Sequence, residues 1–144
     1  MWRITSFFKT VIFTLSLLAF QVSAEPVIAA NSEFNYSNKA ISLEGVFIAS
    51  ETSDEDGDTI IVGIMEFSGK GRKDIEFLFG KRHSRLFKKK FSQMEFEGRG
   101  LFPTEFQSYE TLGEWLAMTA NSIGIIEYDI AVKHGLQVFK DIEK

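Results

Sequence analysis

The chain is 144 residues long, carries a net charge of −4 at neutral pH, and contains fifteen phenylalanines but no cysteine. The acidic balance argues against a general nucleic-acid binder. The lack of cysteine excludes disulfide bonds and thiolate metal sites, so the stability of the fold has to come from an apolar core.

Residues 1–24 have the features of a secretory signal peptide. Two cations, Arg3 and Lys9, precede an uncharged apolar run over residues 11–20, and small side chains at positions 22 and 24 lie at the positions that a signal peptidase recognises. The apolar run is too short to cross a hydrocarbon core of about 30 Å at about 1.5 Å per residue. We therefore expect cleavage before Glu25, a periplasmic location, and one mature domain over residues 25–144.

The first half of the mature chain predicts two strands, with a short helix and an acidic turn between them. A strand over 26–30 directly follows the cleavage site, and the mixed apolar spacing over 39–48 indicates a short helix. The acidic run over 51–58 lacks the residue order of a calcium loop and is interpreted as a solvated turn. Residues 59–65 are apolar or β-branched without a charge, as in a strand covered on both faces.

The second half predicts three helices and two strands. One helix ends at Gly80, and a second helix over 84–94 exposes its lysines. A Gly/Pro connector over 96–103 precedes a helix that opens with a Thr111–Glu114 capping box and ends near Asn121. A short buried strand is predicted within 121–128, and a last strand over 135–139. The predicted inward side chains are Leu86, Phe87, Phe91 and Met94 in the second helix, and Leu112, Trp115, Leu116 and Met118 in the third. This alternation predicts an α/β domain with a mixed sheet flanked by helices.

A glycine-containing loop over 66–72 lies between the central strand and the helix that ends at Gly80. Its backbone N–H groups, one hydroxyl and two cations suit an oxyanion at a helix start. In α/β sheets, ligands sit at such carboxyl ends of strands. The predicted ligand residues of the loop are Ser68, Gly69, Lys70, Gly71 and Arg72. An ordinary β-to-α turn with solvated cations is the alternative.

The other polar residues show no catalytic or metal-binding signature. His83 and His134 lack the spacing of metal ligands, and neither a nucleophile elbow nor a Walker-type phosphate loop is present. We therefore predict that the protein is not an enzyme and needs no metal or cofactor. The lysine run over 88–90 raises the possibility of nucleic acid or anionic lipid, but a solvated helix face is favoured in a net-acidic exported chain.

Six short segments follow one another in the mature chain: Val46-Phe47-Ile48, Asp56-Gly57 with the strand after it, Ser68 to Arg72, Phe79-Gly80-Lys81, Phe96 to Pro103, and Asn121 to Ile126. In this order, they resemble small exported proteins related to phosphate ABC-transporter substrate-binding proteins. The resemblance implies a single small lobe of a type II periplasmic-binding-protein-like fold, because the 120 mature residues are enough for about one lobe. It implies that Ser68, Gly69 and Arg72 contact an anion, and that Gly124 belongs to a late turn at the ligand.

Two functions are consistent with these residues and with the resemblance. The first is a solute-binding-like module for phosphate or a related oxyanion, with weak binding because a one-lobed site stays open to water. It would serve transport or sensing, as a homodimer or together with a membrane transporter or receptor component. The alternative is a ligand-free accessory or interaction protein of the cell envelope that keeps the binding-protein fold.

Overall fold

The computed structural model describes residues 25–35, 42–47, 53, 56–96 and 103–139. The predicted signal peptide, half of the acidic turn and most of the Gly/Pro connector lie outside these residues. Every described strand and helix lies between Glu25 and Phe139.

The described elements form one mixed sheet with helices on it. The strands are β1 (Pro26–Ala30), β2 (Ile61–Met65), β3 (Thr104–Phe106), β4 (Ser122–Glu127) and β5 (Gln137–Phe139). The helices are α1 (Leu43–Val46), α2 (Arg72–Phe79), α3 (Lys81–Phe96), α4 (Tyr109–Met118) and α5 (Tyr128–Lys133), and Phe67–Gly71 forms a π-helical turn. The strand order is β3-β2-β4-β1-β5. β2 is parallel to β3 and β4, whereas β1 is antiparallel to β4 and β5. The predicted α/β class and mixed sheet are confirmed.

Apolar side chains form a core on each face of the sheet. On one face, Ile28, Ile64 and Ile123 pack with residues of α1, α2 and α3. On the other face, Met65 and Ile126 pack with residues of α4 and α5. Since successive strand residues point to opposite faces, a strand between two helical layers has to be apolar almost throughout. This explains the uninterrupted apolar runs that predicted β2 and β4.

A pair of glycines on neighbouring strands allows close packing against α4. Gly63 of β2 and Gly124 of β4 are paired in register. A Cβ atom on Gly63 would lie 2.5 Å from the Trp115 ring, and one on Gly124 would lie 2.4 Å from the Gly63 carbonyl oxygen. Glycine at these positions is therefore a packing requirement of the sheet.

Helix α3 begins before its predicted start and turns a different face inward. Gly80, with a φ of 94°, ends α2, and α3 begins at the next residue. Phe87 is buried as predicted, but Leu86 is 42% exposed while His83 and Ser84 are buried. Leu86 lies about 100° around the helix from Phe87, so the two side chains cannot both face the sheet.

Two other helices also differ from their predictions. Helix α1 is short and begins after Ser42, while residues 39–41 and 48 of the predicted helix lie outside the described part. Helix α4 begins at Tyr109 because Ser108 caps it, accepting a hydrogen bond from the Thr111 N–H at 3.2 Å. The predicted capping box at Thr111 is therefore wrong. Met118, at the end of α4, is 85% exposed rather than inward.

Two short elements, β3 and α5, are not predicted by the sequence pattern. β3 has three residues, of which Thr104 and Glu105 are exposed, so it lacks an apolar run. α5 begins directly where β4 ends, so no loop residues separate the sequence pattern of the strand from that of the helix. No helix in the described ranges combines the length and the apolar character needed to cross a bilayer.

Candidate functional site

The carboxyl ends of β2 and β4 meet where α/β sheets commonly bind ligands. These strands are parallel neighbours. The chain leaves β2 toward β3 on one side of the pair, and it leaves β4 toward β5 on the other side. Such a reversal opens a crevice beside the strand ends. The loop that contains the π-helical turn lies there, since it follows β2 and runs directly into α2. The loop therefore has the predicted position between strand and helix.

Three backbone amides of this loop bond to other groups of the protein. The N–H groups of Gly69 and Gly71 both donate to the Glu66 carbonyl oxygen, at 3.0 and 3.1 Å. The second of these bonds closes the π turn. The Phe67 N–H donates to a Glu105 carboxylate oxygen at 2.9 Å. In this conformation, these three amides are not available to an oxyanion.

Gly71 is required by the path of the backbone. The residue is buried, and a Cβ atom there would lie 2.1 Å from the Met65 carbonyl oxygen at the end of β2. A larger residue would displace the loop from the strand end, because the atom it would meet is backbone and cannot rotate away. Packing alone therefore explains why a glycine is found at this position.

Both cations of the loop have carboxylates of the same chain beside them. The Lys70 Nζ lies 3.7 Å from Glu127 Oε1 at the end of β4 and 4.8 Å from the centre of the Tyr109 ring. The Arg72 Nε lies 3.7 Å from Glu76 Oε1, one turn further along α2. Both cationic side chains are more than half exposed, so water screens these pairs and each stabilises the fold little.

The other two predicted ligand residues lie at different depths. Ser68 is exposed on the loop, and its hydroxyl makes no hydrogen bond to another described residue. Gly124 is buried within β4 and is paired with Gly63 and Ala29, so the backbone expected to turn there is a strand. The structure thus groups Ser68 with the rest of the loop at the crevice and places Gly124 inside the sheet.

A buried acid behind the loop is not among the predicted site residues. Asp74, in the first turn of α2, is 4% exposed and accepts a hydrogen bond from the Tyr109 hydroxyl at 2.6 Å. Burial raises the pKa of Asp74, the Tyr109 hydrogen bond and Lys70 lower it, and Glu127 raises it. Burial, assisted by Asp74 and Glu127, also raises the pKa of the Tyr109 phenol. The sequence signal for this pair is weak, because an Asp near a helix start is ordinarily a solvated residue that favours the helix dipole.

Carboxylates outnumber cations around the loop. Lys70 lowers the pKa of the buried Asp74, whereas Glu127 raises it. Arg72 lies beside Glu76, and Glu105 accepts a hydrogen bond from the Phe67 N–H. An oxyanion bound here would meet negative charges at short range, and their repulsion is strongest where water is excluded. The local charge distribution therefore disfavours a phosphate ion.

A groove rich in aromatic residues opens beside the loop, between α3 and β3. It has a volume of about 280 Å³ and is lined by Phe67, Phe87, Lys88, Phe91, Ser92, Glu95, Pro103 and Glu105. The ring centres of Phe67 and Phe87 are 5.5 Å apart, and those of Phe87 and Phe91 are 4.5 Å apart. An apolar concavity with a few polar groups suits an apolar side chain or a small aromatic molecule.

Both histidines have a glutamate neighbour. The buried His83 stacks on Phe79, its Nδ1 lies 3.3 Å from Glu44 Oε1, and its Nε2 has no hydrogen-bond partner. Burial lowers the pKa of His83, while Glu44 acts in the opposite direction. His134 Nε2 lies 3.0 Å from Glu110 Oε1. Across the described part of the chain, no three His, Cys, Asp or Glu side chains are grouped so that they could hold a metal ion.

Comparison with known proteins does not identify a family. No protein-family model matches the chain, and no curated protein matches it.

Proposed function

We propose that the chain is an exported accessory or interaction protein of the cell envelope, built on a single lobe of a type II periplasmic-binding-protein-like fold. The resemblance of the six sequence segments supports this lobe, and a mixed sheet with helices on both faces is compatible with it. The protein acts through a partner, such as a membrane transporter or receptor component, and not as a phosphate carrier.

The observation that carries this proposal is the use of the loop's polar groups by the protein itself. The amides of Gly69 and Gly71 donate to one carbonyl oxygen of the loop, and the amide of Phe67 donates to a carboxylate. Binding a phosphate through these amides would require the bonds to break, and each protein hydrogen bond that is lost removes about 0.5–1.5 kcal/mol of stability. A single lobe has no second domain whose contacts with the ligand could offset that cost.

Weak oxyanion binding is the second candidate function. It is favoured by the exposed Ser68 hydroxyl and by Lys70 and Arg72, whose side chains reach water at the crevice of the sheet. These groups lie beside the start of α2, a position at which backbone dipoles attract anions. A second copy of the chain or a membrane partner would cover the side of the ligand that a single lobe leaves open to water.

Titration with phosphate and with sulfate distinguishes the two functions. We expect neither the Trp115 fluorescence nor the thermal unfolding temperature to change saturably up to about 10 mM anion. A site with a Kd of about 1 mM would raise the stability by about 1.4 kcal/mol at that concentration, which is a shift of several degrees for a domain of this size. Trp115 is a suitable reporter because its ring contacts Gly63 in β2 and Phe106 at the end of β3.

The titration has two matched controls. Chloride at the same ionic strength removes the general effect of salt, and Ser68→Ala and Arg72→Ala remove two of the three exposed polar side chains of the loop without touching the core. A saturable shift that disappears in both variants would assign the loop to an oxyanion and reject the accessory role.

Export is tested by the N-terminus of the purified protein. After expression in a Gram-negative host, the mature chain is expected in the periplasmic fraction and to begin at Glu25. Ala24→Arg places a large cation at the small-residue position before the cleavage site, so this variant should retain its leader, whereas Ser23→Arg should not. A wild-type chain that stays in the cytoplasm with residues 1–24 attached would contradict the proposed export.

A further inference from the structure

Helix α3 concentrates positive charge on an acidic protein. Its sequence, KRHSRLFKKKFSQMEF, contains six Lys or Arg residues against the single carboxylate of Glu95, while the whole chain has a net charge of −4. All six cations are exposed. None of them forms an ion pair with a carboxylate in the described part of the chain. The charge of α3 is therefore directed to solvent.

The exposed side of α3 combines cations with apolar side chains. Arg82, Arg85, Lys89 and Phe96 follow one another at intervals of three, four and seven residues, which places them in one stripe along the helix. Phe96 is 94% exposed, and Leu86, which flanks this stripe, is 42% exposed. We call these five residues the basic stripe.

The opposite side of α3 explains why the basic stripe faces outward. His83, Ser84 and Phe87 are buried against the sheet and its helices. This anchoring fixes the rotation of the helix, so the basic stripe cannot turn toward the core. The stripe is a permanent surface of the fold, and two of its five side chains expose apolar area to water.

We propose that the basic stripe docks the protein on an anionic lipid surface. Cations beside such a surface are attracted to the headgroup phosphates. A bulky apolar side chain in the same stripe can enter the boundary between headgroups and acyl chains, as in helices that lie in the membrane plane. The basic stripe provides both kinds of contact on one face.

The shape of the surface favours lipid over nucleic acid or an acidic protein. α3 has 16 residues and is therefore about 24 Å long, and a straight helix meets a flat surface along its whole length. Phosphodiester backbones would neutralise the cations but leave Phe96 and Leu86 in water. An acidic protein would need a groove shaped to this helix, whereas a bilayer adapts to it.

This inference goes beyond the accessory role and does not depend on it. The lipid contact uses the outer side of α3, and the anion titration reports on the loop between β2 and α2. A negative result in either experiment leaves the other unaffected.

Vesicle co-sedimentation tests the proposal with the chain that begins at Glu25, which contains every described strand and helix and lacks the apolar leader. We expect binding to phosphatidylcholine vesicles that contain phosphatidylglycerol and no binding to phosphatidylcholine alone. Raising the salt from about 50 mM to about 500 mM should abolish binding, because the Debye length falls severalfold. Replacing Arg82, Arg85 and Lys89 together by Gln should weaken binding by roughly a hundredfold, since each of the three cations contributes roughly fivefold.

The controls separate the basic stripe from net charge. The charge-preserving set Arg82→Lys, Arg85→Lys and Lys89→Arg should keep the affinity of the wild type. Arg85→Gln should weaken binding more than Lys133→Gln, which changes the net charge equally but lies on α5. Phe96→Ser should weaken binding without changing its salt dependence.

Three outcomes would overturn the lipid proposal. The first is equal binding to the two kinds of vesicle, and the second is the absence of binding at low salt by a protein that unfolds cooperatively. The third is binding that does not respond to the triple Gln variant. Tighter binding to soluble polyglutamate or to a short DNA duplex than to the anionic vesicles would reassign the basic stripe to that class of partner.

Discussion

Gly124→Ala is expected to destabilise the protein by about 3 kcal/mol. The added Cβ would lie 2.4 Å from the carbonyl oxygen of Gly63 on the neighbouring strand. That oxygen belongs to the backbone of an inner strand, so β2 and β4 would have to separate to make room. Urea unfolding of the wild type and the variant measures the difference through the shift of the midpoint at constant m-value.

Gly113→Ala is the matched control, because it adds the same atom at another crowded glycine. A Cβ on Gly113 would lie 2.6 Å from the His134 ring, which is a side chain that can move. Alanine also favours a helix by about 1 kcal/mol relative to glycine, so the net change should be small. A loss below about 1 kcal/mol for Gly124→Ala would show that the sheet relaxes around the methyl group. Glycine at this position would then need an explanation other than packing.

Tyr109→Phe is expected to destabilise the protein by about 1–3 kcal/mol at pH 7. The variant removes the hydroxyl that donates to Asp74 at 2.6 Å and leaves a carboxylate that is only 4% exposed without this partner. Thermal or urea unfolding at neutral pH measures the loss. A change below about 0.5 kcal/mol would mean that water or another group replaces the phenol.

The pH dependence of this loss follows from the pKa of Asp74. Burial raises the folded-state pKa of Asp74 above its ordinary value, and the Tyr109 hydrogen bond partly opposes that effect. A carboxyl group with a raised pKa stabilises the fold below its unfolded pKa, and this contribution is lost as the pH rises through the folded pKa. Without the phenol the folded pKa rises further, so ionised Asp74 costs more at pH 7. The difference between wild type and Tyr109→Phe should therefore shrink as the pH falls toward 4.

Asp74→Asn identifies the group responsible for that pH dependence. The amide oxygen can still accept a hydrogen bond from Tyr109, but the side chain no longer ionises. The stability that the wild type gains when Asp74 is protonated at low pH should therefore be absent in Asp74→Asn. If Asp74→Asn and the wild type keep the same stability difference from pH 7 to pH 4, another group is responsible and the assignment to Asp74 is wrong.

The fold class could be predicted because its signals are local. β2 and residues 123–126 of β4 are runs of apolar residues without a charge, and helices lie between the strands, so the sequence pattern alone indicates an α/β sheet. The end of α2 could be predicted in the same way from Gly80, which adopts a positive φ. The same reasoning fails for β3, where two of three residues are exposed.

The chemistry of the loop could not be predicted, because it depends on residues far apart in the sequence. Glu105 is 38 residues from Phe67, whose amide it binds, and Tyr109 is 35 residues from Asp74. A local motif shows which groups a loop contains. It does not show that carboxylates from other elements already surround those groups, or that Gly71 is required by the end of β2.

The pairing of β1 determines when this strand can fold during synthesis of the polypeptide. This strand bonds to β4 and β5 through residues 123–127 and 137–139, so both its partners are synthesised long after it. Contacts between residues so far apart form slowly. β1 therefore stays without these partner strands until residues 123–139 have been synthesised.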